Sequence, residues 1–168
     1  KKYYREAYPY WQVAFRDCPD ATKTIYTEGY KILKHLIKEA KSPERRELLL
    51  DSLMIVHDQR IEYFGDDSRY PKGYILGLKG IDLFNYSQGD IDKVKKAYQF
   101  LSESIESRKN RSLSAVIDAY MRASSFLYKK NEIAAEQVVA DFIKTSDILK
   151  KQRSEASDKI KLEKIKTG

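Results

Sequence analysis

The residue types able to do chemistry are few in this chain. There are two histidines, His35 and His57, and one cysteine, Cys18. There is also one adjacent acidic pair, Asp66-Asp67. A zinc site needs Cys, His or acidic partners at ligand spacing, and neither histidine has them. Both histidines therefore read as surface or boundary residues. Cys18 precedes Pro19 at a helix end, where a small apolar residue serves structure, and a lone cysteine forbids a disulfide framework. Asp66-Asp67 has the chemistry to chelate a hard cation. It also reads as the polar turn that stops a helix, and that reading is preferred. No P-loop, GxGxxG, GxSxG, HExxH or CxxC pattern occurs. The expectation is a chain with no catalytic residues, no metal and no cofactor.

The elements that would position any site are helices. Apolar residues recur at steps of three and four almost throughout, with no useful stretch of strict alternation. Only 7 Gly and 4 Pro interrupt 168 residues. The spacing predicts a helix over about residues 2–17, with Pro9 requiring either a start near Tyr8 or a kink. A second runs from an Asp20 cap to about Lys41. Ser42-Pro43-Glu44 starts a third, with a Ser cap, Pro in the first turn and an acid beside it; it ends near Phe64. A fourth spans about Lys72 to Tyr86. Its Gly73, Gly77 and Gly80 are costly in a helix unless a neighbour approaches closely. Asp90 caps a fifth, to about Ser107. A sixth ends near Tyr128 and a seventh near Lys150, the latter carrying Ala135, Val138, Val139, Phe142, Ile143 and Leu149. Residues 151–168 form a charged capping helix or tail, continuing as, or starting, an eighth helix.

The formal charge is +7, from 32 Lys+Arg and 25 Asp+Glu. Residues 144–168 hold eight Lys/Arg and four Asp/Glu, so +4 of it lies there. The longest run without Asp, Glu, Lys or Arg is nine residues, Ala7 to Phe15. A spanning helix needs about 20 apolar residues, so no membrane span is expected. The missing initiator Met and the lack of a signal-peptide pattern read as a chain that begins inside a longer product.

Internal repetition organises these helices. Ala7, Trp11, Ala14 and Pro19 give a small residue, an aromatic, a second small residue and a terminating Pro. The skeleton recurs as Ala97, Leu101, Ser104 and as Ala135, Val139, Phe142. Preceding helices carry Ile25-Gly29-Ile32, Leu76-Gly80-Leu83 and, more loosely, Ala119-Ala123-Phe126. Residues 42–66 form one degenerate unit, and the Trp of the motif's first half is absent in every copy. Over nearly the whole chain this pattern resembles the tetratricopeptide repeat (TPR) family. The resemblance implies an all-α, superhelical array of antiparallel helical hairpins, an α-solenoid of about seven to eight helices over 1–150. Its first helix would be the second half of a hairpin whose partner lies upstream. Its implied function is a non-catalytic scaffold that binds a protein or peptide on an inner groove.

By the resemblance, groove residues lie three or six before the small residue and one, four or five after it. Anchored on Gly29 they are Lys23, Tyr26, Tyr30, Leu33 and Lys34. Anchored on Gly80 they are Tyr74, Gly77, Ile81, Phe84 and Asn85. Anchored on Ala123 they are Ile117, Tyr120, Ser124, Leu127 and Tyr128. Five of these fifteen are Tyr, against 13 in the whole chain, and Tyr is enriched at binding hot spots. The same residues also suit plain packing between repeats. Lys23, Lys34 and Asn85 could hold one acidic group. The alternative is a helical repeat that binds nucleic acid or an anionic surface through its basic C-terminal segment. The acids interleaved there count against it. Homo-oligomerisation stays open. The Tyr/Lys-rich opening KKYYREAYPYWQVAFRDCP resembles exported repeat proteins of Bacteroidetes, which implies an extracytoplasmic location.

Overall fold

The computed structural model describes the backbone of residues 3–167 and the side chains of residues 3–158. The protein is all-α. Among the described residues there are seven α-helices, one 3-10 turn and no strand. The helices are α1 (Tyr4–Asp17), α2 (Lys23–Glu39), α3 (Pro43–Phe64), α4 (Lys72–Tyr86), α5 (Ile91–Arg108), α6 (Ser114–Lys129) and α7 (Ala135–Thr167), with the 3-10 turn Lys109–Arg111 between α5 and α6. The chain divides into two compact units, with the boundary between Lys79 and Gly80, inside α4.

In the first unit α1 packs on α2 and α2 on α3. Ser42 caps α3 as its sequence predicts, its Oγ accepting from the Arg45 N–H at 3.2 Å. The cap of α2 is Thr22 rather than Asp20. Thr22 has extended backbone (φ −163°) and accepts from the Thr24 N–H. The Ala21 N–H bonds back to the Cys18 carbonyl, so residues 18–21 are spent on a turn and the helix starts later. α1 begins at Tyr4 and keeps Pro9 in its interior. A Pro there costs about 3 kcal/mol, and α1 holds no fully buried residue. Its anchor is Trp11, whose indole N–H donates to the Ile25 carbonyl at 2.8 Å. The indole lies against Gly29, where any Cβ would collide with it. Tyr26, Leu33, Ile37, Leu50, Leu53 and Val56 are the buried centre of this unit.

In the second unit α5 packs on α6 and α6 on α7. Asp90 caps α5, accepting from the Lys93 N–H at 3.0 Å. Gly80 does what its spacing predicts. A Cβ on it would stand 2.6 Å from Leu101 Cγ and 3.2 Å from the Ala97 carbonyl oxygen, so the bare backbone of α4 lies directly on α5. The core gathers Val94, Leu101, Ile105, Val116, Tyr120, Ala123 and Leu127.

α7 departs from expectation twice. It continues unbroken through residue 150 to Thr167, so residues 151–167 extend the seventh helix and start no eighth. The side chains expected to cap the array beyond residue 158 lie outside the described residues. It is also rotated from the predicted face. Val138, Asp141, Thr145, Ile148 and Gln152, at helical steps of three and four, turn inward. Val139, Phe142, Ile143 and Leu149 stay exposed. The polar face goes in because α5 and α6 hold donors for Asp141.

Candidate functional site

Helix geometry sorts the fifteen expected groove positions. At about 100° per residue, positions −3 and +4 lie about 60° and 40° from the buried small residue. Positions +1, −6 and +5 lie about 100° to 140° away, on the same side. The nearer pair should sink into the core, and all of these positions but Phe84 do. Tyr26 and Leu33 are 0% exposed, Tyr120 and Leu127 1%. Gly77 is buried and Phe84 half-buried. Tyr26 and Tyr120 therefore leave the candidate partner surface and become core residues. The farther positions reach solvent in α2 and α4: Lys23 and Asn85 are exposed, and Tyr30, Lys34, Tyr74 and Ile81 are half-buried. In α6 only Tyr128 of that set is exposed, because Ile117 and Ser124 are covered as well.

The two buried tyrosines show why they sank. The Tyr26 hydroxyl donates to the Pro19 carbonyl at 2.8 Å, and its ring meets Phe15 and Phe64 edge-on. Burial pushes its hydroxyl pKa up to about 12. Tyr120 stacks on Tyr98, ring centroids 4.9 Å apart, and donates to Asp141 Oδ1 at 2.6 Å. Burial, and then that donation, push its pKa up further still.

On the first unit, the surface part of the set includes the pair Tyr30 and Lys34. The Lys34 ammonium donates to the Tyr30 hydroxyl at 2.8 Å and stands 4.7 Å from its ring centroid. The ring meets His57 edge-on at 5.7 Å. His57 is 2% exposed, a core residue rather than a boundary one. His35 lies beside Glu39 at 3.3 Å and against the Tyr4 ring. Lys23 pairs with Asp67 across to the α3–α4 loop. Asp67 is also the loop's organiser, accepting from the Arg69 N–H at 3.0 Å and the Tyr70 N–H at 2.7 Å. These contacts, Lys23 first, hold its carboxyl below the usual carboxylate range. Asp67 of the acidic pair thus organises a turn.

Two features escaped sequence reasoning. Arg60 on α3 is only 8% exposed, and its Nε has no hydrogen-bond partner. Its guanidinium lies 6.0 Å from the Tyr70 ring centroid. Arg69 approaches the same ring at 5.2 Å, and the Tyr74 ring tilts against it at 4.9 Å. Burial pushes the Arg60 pKa down, opposed by its neighbours Tyr74, Asp67 and Tyr70. An Arg inside the stripe Leu53, Val56, Arg60 was the available signal.

The second is in the other unit. Asp141 is 0% exposed and accepts four hydrogen bonds, from Tyr98, Tyr120, Ser124 and Gln137, at 2.6 to 2.9 Å. The signal was an acid within the apolar run VVADFI. On this unit's surface, Arg122 lies 5.2 Å from the Phe84 ring centroid, and Asn85 and Tyr128 are exposed.

Cys18, the C-cap of α1, is exposed. Among the described residues no group of three His, Cys, Asp or Glu side chains could hold a metal ion, and no helix is long and apolar enough to cross a membrane. No protein-family model, curated protein or solved structure matches the chain.

Proposed function

We propose that the chain is a TPR-like, non-catalytic scaffold that binds a protein or peptide. The observation that carries this reading is the surface pairing of Tyr30 and Lys34 on α2. A large ring and an ammonium are held together at the surface, the ring backed by a buried His57. Such a pair offers apolar area at low entropy cost and a charge for an acidic or carbonyl-rich segment. Phe84 beneath Arg122 gives the second unit a pair of the same chemistry. The buried tyrosines do not contribute to binding; they set the helix faces that leave these pairs outside.

The test is capture of random-sequence peptides displayed on phage, using the purified chain. Enriched peptides should lose affinity at least about tenfold on Tyr30→Ala, the scale of a hot-spot residue. The melting temperature should change by no more than a few degrees. Binding that falls steeply with salt and disappears on deleting 151–168 would favour the anionic-surface alternative instead.

A further inference from the structure

Arg60 carries five N–H donors in a place that is 92% inaccessible to solvent by its 8% exposure. Its buried Nε has no hydrogen-bond partner, and its guanidinium lies over the ring of Tyr70. A buried guanidinium N–H without an acceptor is costly, and native structures rarely leave one so. Asp67 acts on it electrostatically, and that carboxylate is already committed. Its Oδ1 takes the Arg69 and Tyr70 N–H groups and its Oδ2 takes Lys23. Arg69 adds a second guanidinium against the same ring. Tyr74 stands beside Tyr70. Two guanidiniums therefore stand at one tyrosine ring, with a second tyrosine beside it and the nearby carboxylate already paired with Lys23.

We propose that Arg60, with Arg69, Tyr70 and Tyr74, forms a receptor for an oxyanion, a carboxylate or a phosphate group. Arg60 supplies the charge and the paired donors. Tyr70 lies against its guanidinium, and the loop organised by Asp67 holds Tyr70 through its N–H. A guanidinium fork matches two oxygens of one oxyanion, which an ammonium cannot reproduce. This site lies within the first unit and does not depend on the scaffold reading.

The experiment is an NMR titration of the full chain at constant ionic strength, with chloride as background. One arm uses sodium phosphate and the other sodium acetate. The readouts are the Arg60 Nε–H resonance and the backbone amides of residues 69–74. The expected result is a saturable shift of both readouts in at least one arm, and the tighter arm identifies the class. Arg60→Lys should weaken the amide-detected affinity by about tenfold or more, since the fork is lost. If Arg60→Lys does not fold, Arg69→Gln is the second variant, with a smaller loss of about threefold expected for a flanking charge. Unsaturable drift in both arms overturns the proposal. So does an affinity that survives whichever variant folds.

Discussion

Asp141→Ala is expected to destabilise the second unit by about 2–6 kcal/mol, the cost of leaving two buried hydroxyls without their acceptor. Asp141 is the meeting point of three helices. Tyr98 reaches it from α5, Tyr120 and Ser124 from α6, and Gln137 from its own helix. Alanine would strand the buried Tyr120 and Ser124 hydroxyls, each costing about 1–3 kcal/mol unsatisfied. Tyr120→Phe should cost less, about 1.5–3 kcal/mol, because three donors to the carboxylate remain. Urea unfolding followed by far-UV circular dichroism measures both.

The same network sets a pH dependence. Burial pushes the Asp141 carboxyl up, but the donations from Tyr120, Ser124, Gln137 and Tyr98 outweigh it and hold it below the ordinary range. The folded state then binds a proton less readily than the unfolded chain, whose Asp titrates near about 3.9. The stabilisation is present above that pH and is lost as pH falls through the folded value. Wild type should weaken progressively below about pH 4, and Asp141→Asn should remove Asp141's share of that slope.

The second large effect concerns the bare helix contacts. Gly29→Ala and Gly80→Ala each gain about 1 kcal/mol of helix propensity. Overpacking costs typically about 1–3 kcal/mol and occasionally more, and both positions should be net destabilised. At Gly80 the clash is with the branch carbon of Leu101, at 2.6 Å, and with backbone of Ala97 at 3.2 Å. Neither yields like the end of a flexible side chain. At Gly29 the obstacle is the Trp11 indole, pinned by its hydrogen bond to the Ile25 carbonyl. In a Trp11→Leu background Gly29→Ala should cost much less or stabilise, because the ring it meets is gone. Equal costs in the two backgrounds would show that Trp11 is not what forbids a side chain there.

What was legible in the sequence was local. Ser42-Pro43 and Asp90 announce helix starts because a cap acts on its own next turn. The Gly80 spacing announces a close approach because glycine in a helix has few other reasons. The face of α7 was not legible, since which side turns inward depends on Tyr98, 43 residues away from Asp141. His57 and Arg60 were hidden for the same reason; their apolar surroundings come from other elements. The inner-groove set failed at Tyr26 and Tyr120 for a geometric reason that the sequence did contain. Both stand only about 60° from the buried small residue, and that arc faces the neighbouring helices.

The scaffold reading turns on Tyr30. Isothermal titration of the most enriched displayed peptide into wild type and into Tyr30→Ala tests it most directly. The account predicts a loss of at least about tenfold, the hot-spot scale, with the melting temperature nearly unchanged. A peptide that binds Tyr30→Ala as tightly as wild type would contradict it.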